Sequence, residues 1–169
     1  GTGEWITRPL VNPKRLLVTS FALTNPLGFG LMQRDRSFDN YQDLEARYEL
    51  RPSAWVEPRG TPWGAGRVEL VQIPTPDETN DNIVAYWVPE RLPAPGQPLD
   101  FAYRLAWQGD RQARPPTGWT VQSRRGQSFR DPPSPPSELQ FIVDFDGPAL
   151  RALPEGAAVE AVVSVGSGA

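Results

Sequence analysis

The chain has 169 residues and a net charge of −3, and it contains neither cysteine nor histidine. Without these residues, disulfide scaffolds, thiol catalysis, Ser-His-Asp triads and Cys- or His-ligated metals are excluded, so neither a metal nor another cofactor is expected. The acidic charge balance argues against a nucleic-acid partner, because nucleic acids are bound by basic surfaces.

An all-β fold is predicted, because 20 prolines interrupt helices and the 17 aromatic residues (6 Trp, 4 Tyr, 7 Phe) favour strands. Alternating or β-branched stretches predict the strands in chain order. They span residues 16–21, 28–33, 48–57, 67–73, 82–88, 99–108, 118–124, 138–145 and 157–165. Polar or Pro-rich loops are predicted at 74–81 and 128–137.

The Pro-rich segment 89–98 divides the predicted strands into two groups, as an extended interdomain linker would. Residues 1–88 are predicted to form part of one β-domain. The four strands predicted within 99–169 suggest a small immunoglobulin-like sandwich. Four strands are few for that fold, so this second domain is predicted to be incomplete.

The densest polar cluster lies at residues 33–43 and places Asp35 between Arg34 and Arg36. Nearby arginines favour an ionised carboxylate, which predicts a structural ion pair. Burial or a second carboxylate in a cleft would instead suit Asp35 to general-acid catalysis. Carboxylates alone suffice for glycoside hydrolysis, although composition by itself favours a segment that performs no chemistry.

The acidic stretch 77–82 raises calcium binding as an alternative, but it lacks the EF-hand spacing and is predicted to be a solvated turn. Trp5, Trp55, Trp63 and Trp87 are predicted to be mainly core residues, with one or two stacking on sugar rings. The sequence contains neither a membrane-spanning apolar run nor a signal peptide, and both ends resemble cuts from a longer chain.

Four ordered motifs strongly resemble the periplasmic glucan biosynthesis proteins of Gram-negative bacteria, of the G and D type. The motifs are GFGLMQRDR at 28–36, YQDLEARYELRPS at 41–53, WVEP at 55–58 and DETNDNIVA at 77–85. The match is close over residues 3–108 and follows position and pattern beyond them.

The resemblance implies a periplasmic protein whose signal peptide is absent because the chain is partial. It also implies a large galactose-mutarotase-like β-sandwich followed by an immunoglobulin-like domain. Residues 1–88 would form the C-terminal part of the large sandwich. Members make osmoregulated periplasmic glucans with a β-1,2-linked glucose backbone, and some are inverting β-1,2-glucanases. On this basis β-1,2-glucan, the upstream part of the same protein and a membrane glucosyltransferase are expected partners.

By resemblance, Asp35 corresponds to the family's general acid, and the acidic residue on the base side lies upstream of this chain. Arg34 and Arg36 are expected to hold the site and bind sugar hydroxyls, with Tyr41 and Trp55 as further sugar contacts. One carboxylate cannot serve an inverting mechanism, so the chain alone is expected to be inactive. It is also expected to be unstable without the upstream sandwich strands, because sheet edges and core faces are left open. Non-catalytic glucan binding beside a glucosyltransferase is the alternative function, and a purely structural role best fits the C-terminal part.

Overall fold

The computed structural model describes residues 3–77, 79–126 and 139–164. These residues form two compact units that divide after Ala113. The first unit contains two antiparallel three-stranded sheets, and the second contains one antiparallel pair of strands. The predicted all-β class is therefore confirmed, whereas the galactose-mutarotase-like and immunoglobulin-like assignments stay predictions.

The first sheet has the strand order β1-β4-β5, with β1 at Leu17–Thr24, β4 at Ala65–Gln72 and β5 at Ile83–Pro89. Alternation along β4 places Val68, Leu70 and Gln72 on one buried face. The sequence of β4 alternates between polar and apolar residues with the same period of two, which is the pattern of a strand that is buried on one face. The strands predicted at 16–21, 67–73 and 82–88 are confirmed with shifted ends.

The second sheet has the order β2-β3-β6, with β2 at Phe29–Leu31, β3 at Ser53–Arg59 and β6 at Ala102–Gln108. Gly30 lies opposite Trp55 in the β2–β3 register, and Ala106 lies opposite Trp55 in the β3–β6 register. A Cβ atom on Gly30 would lie 2.0 Å from the carbonyl oxygen of Ala54. Glycine is therefore required there for β2 to approach β3.

The strand predicted over residues 48–57 is wrong in its first part, because Tyr48–Leu50 is a 3-10 turn and β3 begins only at Ser53. Arg47 enters this turn with a φ of 47°, and two carbonyl groups of the segment accept hydrogen bonds from a distant arginine. Tertiary contacts have thus overridden a weak local alternation.

The second unit pairs β7 (Trp119–Gly126) with β8 (Gln140–Asp146), and the register shifts between Thr120 and Gln122. A short helix α1 follows at Pro148–Arg151 and was not predicted. The strand predicted at 157–165 is wrong over 157–164, where no strand is present. Val165 and the whole Pro-rich loop predicted at 128–137 lie outside the described residues.

The Pro-rich segment 89–98 connects β5 to β6 inside the first compact unit, because β6 is hydrogen-bonded to β3. The division of the compact units therefore differs in position from the predicted linker, and the domain boundaries stay a prediction. Where the structure describes the chain, no helix combines the length and apolar character needed to traverse a membrane.

Candidate functional site

The predicted site lies in the loop between β2 and β3, residues 32–52, which contains two 3-10 turns at Phe38–Asn40 and Tyr48–Leu50. Gln42 and Arg47 have φ angles of 52° and 47°. Residues other than glycine seldom adopt positive φ, and such strain is retained only where surrounding contacts impose it. The conformation of this loop therefore depends on specific hydrogen bonds.

The Asp35 side chain is partly exposed, and each of its oxygen atoms accepts a hydrogen bond. The backbone N–H of Ser37 donates to Oδ1 at 3.0 Å, and the side-chain amide of Asn40 donates to Oδ2 at 2.7 Å. Both donors come from the turn that follows Asp35 in sequence. The carboxylate is consequently oriented while part of it remains accessible to solvent.

The backbone carbonyl of Asp35 is also held. It accepts hydrogen bonds from Gln33 Nε2 at 2.9 Å and from the Tyr41 hydroxyl at 3.1 Å. Gln33 Nε2 additionally donates to the Tyr41 hydroxyl oxygen at 2.9 Å. The hydroxyl of Tyr41, predicted to contact sugar, is thus placed inside the loop, where it supports the backbone at Asp35.

The expected ion pair does not form: among the described residues, neither Arg34 nor Arg36 approaches the Asp35 carboxylate within 4.0 Å. Arg34 is exposed. The Arg36 side chain is only 13% exposed, and its nearest carboxylate oxygen belongs to Asp110, 3.8 Å from Nε. The two arginines flanking Asp35 therefore have different surroundings.

The Arg36 guanidinium donates to four protein oxygen atoms. Nη1 reaches the carbonyls of Glu49 at 3.1 Å and Arg51 at 2.9 Å. Nη2 reaches Ser53 Oγ at 3.2 Å and the Gln108 carbonyl at 3.4 Å. All four terminal N–H groups of the guanidinium are occupied in this way, so Arg36 joins the loop to strands β3 and β6.

Trp55, the last predicted sugar contact, lies on β3 two residues after Ser53, so both side chains project from the same face. Its indole stacks on that of Trp5, with ring centroids 5.5 Å apart and planes inclined by 16°. Trp55 is partly exposed, and Trp5 is 40% exposed. The pair forms an aromatic surface on the face of the sheet to which Ser53 anchors the loop.

Two other carboxylates of the loop, those of Asp43 and Glu49, have local structural roles. Asp43 Oδ1 accepts the backbone N–H groups of Glu45 at 3.0 Å and Ala46 at 2.8 Å. Glu49 is 6% exposed, and its Oε1 accepts from Arg47 Nε at 2.6 Å. In the described part of the chain, no three acidic side chains converge as a metal site would require.

Sequence reasoning missed Asn40, Gln33, Ser53 and Gln112 as supports of the loop. Ser53 is fully buried, and its Oγ donates to Gln112 Oε1 at 2.5 Å across 59 residues of sequence. A serine after a proline has no periodic or compositional signal for such a role. The local clue for Gln33 and Asn40 was that both lie with Asp35 in the polar cluster at 33–43.

A second concentration of aromatic side chains lines a groove of about 340 Å³ in the first unit. Trp63 is central to it, with ring centroids 5.0 Å from Phe101 and 5.9 Å from Trp87. None of the described residues that line the groove carries a carboxylate, so they offer stacking surface without an acidic pair. The lining residues are Phe29, Val56, Trp63, Ala85, Tyr86, Trp87, Phe101, Tyr103 and Leu105.

The family model for "Periplasmic glucan biosynthesis protein, MdoG" matches residues 1–169. The "Glucans biosynthesis protein G" of Ralstonia nicotianae is 61% identical over 166 residues, covering 96% of this chain and 33% of the relative. The protein of the same name from Pseudomonas putida is 53% identical over 175 residues, covering 100% of this chain and 31% of the relative.

A further "Glucans biosynthesis protein G", from Pseudomonas aeruginosa, is 51% identical and is covered over 33% of its length. The chain thus spans about a third of the length of these curated relatives. The family match extends over every motif that carried the resemblance in the sequence. The chain therefore belongs to the family of the periplasmic glucan biosynthesis protein MdoG.

Proposed function

We propose that the full-length parent of this chain acts in the periplasm on the β-1,2-glucan backbone of osmoregulated periplasmic glucans, as an inverting glucanase. Asp35 is the general acid in this proposal. The observation that carries it is the Asp35 carboxylate, which is oriented by Asn40 and Ser37, remains partly exposed and has no arginine ion pair among the described residues. Membership of a periplasmic glucan family supports the substrate class and the compartment.

In the proposed reaction, protonated Asp35 donates its proton to the glycosidic oxygen as the bond to the anomeric carbon breaks. A second carboxylate, supplied by the upstream part of the same protein, removes a proton from the attacking water. An inverting pair stands about 6.5–9.5 Å apart to leave room for that water. The chain alone is therefore expected to release no reducing ends from glucan.

Sugar contacts are assigned according to the accessibility of each side chain. Arg34 is exposed and is proposed to bind glucose hydroxyls. Trp55 is proposed to stack on a glucose ring from within the Trp5–Trp55 surface. Tyr41 is proposed to contact sugar through its ring, because its hydroxyl is bonded to the loop. Arg36 is proposed to hold the site geometry, since its four terminal N–H groups already have protein acceptors.

A second function is favoured by the relatives' printed name, which concerns glucan biosynthesis and not hydrolysis. In this alternative the parent binds nascent glucan without cleaving it and works beside a membrane glucosyltransferase. The aromatic groove supports the alternative, because six of its nine lining residues are aromatic and none is a carboxylate.

The deciding experiment measures reducing-end release from linear β-1,2-glucan by the full-length parent and its Asp35→Asn variant, with glucan binding measured by calorimetry. Asp39→Asn is the matched control, because Asp39 is exposed and forms no side-chain hydrogen bond to the described residues. A loss of about a hundredfold or more in D35N, with D39N unaffected, supports a general acid. Binding without release by the parent itself supports the non-catalytic alternative.

A further inference from the structure

We propose that Ser53 is a positioning residue that holds the Asp35 loop in its active orientation, with Arg36 and Gln112 as its partners. The proposal rests on the proposed function, in which Asp35 is the general acid. Ser53 does not contact Asp35 directly, so it acts through the residues on either side of it.

The first argument is that the Ser53 hydroxyl has no unused hydrogen-bonding capacity. Its oxygen accepts the backbone N–H of Gln33 at 2.8 Å and Arg36 Nη2 at 3.2 Å, and its proton goes to Gln112 Oε1 at 2.5 Å. A hydroxyl provides one donor and two acceptor sites. Ser53 is also 0% exposed, so water cannot replace a lost partner.

The second argument is the placement of these contacts in sequence. Gln33 and Arg36 bracket Asp35, so Ser53 fixes the chain two residues before the carboxylate and one residue after it. Ser53 is itself the first residue of β3, paired with Gln108 of β6. The loop is thereby attached to a sheet. A rigid element such as a sheet positions a functional group more accurately than a loop alone.

The third argument is that the partners of Ser53 are held in turn. Gln108 Oε1 accepts the backbone N–H of Ala113 at 2.6 Å, which closes the turn that presents Gln112. Arg36 Nε is buried and lacks a hydrogen bond within the described residues. With that donor unsatisfied, Arg36 depends on its four other bonds, and losing the Ser53 oxygen would weaken its hold on the carbonyls of Glu49 and Arg51.

The test replaces Ser53 with alanine in the full-length parent, because alanine removes the oxygen with little change in volume. Ser20→Ala is the matched control, since Ser20 is exposed on β1 and has no side-chain hydrogen bond to the described residues. We expect kcat on linear β-1,2-glucan to fall about 10- to 100-fold with KM within about twofold, because misplacing a catalytic group by about 1 Å costs this much. S20A is expected to retain the kinetics of the parent.

Amide hydrogen exchange supplies a readout that needs no glucan. In S53A the Gln33 amide loses its acceptor, so exchange across residues 33–51 is expected to accelerate while β4 remains protected. Unchanged exchange in 33–51 would overturn the proposal. Accelerated exchange with unchanged kcat would also overturn it, because Ser53 would then be structural only.

Two further outcomes keep the proposal distinct from the proposed function. If the parent itself releases no reducing ends, the glucanase function fails, and exchange in 33–51 still decides whether Ser53 holds the loop. If S53A does not fold, Gln112→Ala removes only the acceptor of the Ser53 proton. Q112A is then expected to accelerate exchange at Gln33 and lower kcat several-fold, and an unchanged Q112A would contradict the proposal.

Discussion

The side-chain amide of Asn40 donates a hydrogen bond to Oδ2 of Asp35 at 2.7 Å. Asn40 ends a 3-10 turn whose start supplies the second donor, the backbone N–H of Ser37. The orientation of the Asp35 carboxylate is thus set by its own loop, five residues away in sequence, while the position of that loop is set by the sheet beneath it.

Replacing Asn40 with alanine in the full-length parent is expected to lower kcat on β-1,2-glucan about tenfold, with little effect on KM. A hydrogen bond to a charged group contributes about 1.5–3 kcal/mol. Because this pair is partly exposed, its contribution is expected near the low end of that range. A loss of about 1.4 kcal/mol corresponds to a tenfold change in rate. Steady-state kinetics check it, with D39N as the control in the same turn. Parental kcat in N40A would show that the Ser37 backbone bond suffices to orient Asp35.

Gly30→Ala in the full-length parent is expected to reduce the free energy of unfolding by about 1–3 kcal/mol, the usual cost of overpacking. The added Cβ would meet the Ala54 carbonyl oxygen at 2.0 Å, and a backbone atom cannot rotate away as a side chain would. Urea unfolding measures the change. Gly109→Ala is the control, because a Cβ there has no atom within 4 Å. Equal midpoints for G30A and G109A would contradict the close approach of β2 to β3.

Tyr86→Phe is expected to raise the pKa of Glu69 toward its ordinary value of 4.5. The Tyr86 hydroxyl donates to Glu69 Oε2 at 2.6 Å and is the main cause of the lowered pKa of this carboxyl group, followed by the hydrogen bond from Arg67. Because Arg67 remains, the Glu69 pKa in the variant should stay below the ordinary value. Carboxyl NMR titration measures the shift directly.

The same hydrogen bond predicts how stability depends on pH. A lowered folded-state pKa stabilises the protein above pH 4.5, and this contribution is lost as the pH falls through the pKa of folded Glu69. The pKa of Tyr86 is raised, so its contribution is present below pH 10.0 and is lost at higher pH. The stability difference between parent and Y86F should therefore shrink at both extremes. Tyr103→Phe is the control, and an identical pH profile for both variants would contradict the prediction.

Local pattern alone determined the positions of most strands in the first unit. The alternation around Val68 and Leu70 predicted β4, and the β-branched and aromatic run before Pro89 predicted β5. The period of side chains along a strand is a property of neighbouring residues, so it can be recognised without knowing the fold. The motif resemblance likewise selected Asp35 and its family before any contact was known.

Tertiary structure decided what local pattern does not contain. The 3-10 turn at Tyr48–Leu50 replaced a predicted strand where Arg36 binds nearby carbonyl oxygens, and residues 157–164 remained irregular. Within the described residues Arg36 forms no ion pair with Asp35, because four protein oxygens accept hydrogen bonds from its guanidinium. A hydrogen bond between Ser53 and Gln112 joins groups 59 residues apart. The sequence thus determines which side chains can donate or accept hydrogen bonds. Which of the competing partners each side chain binds is decided only when distant segments meet in space.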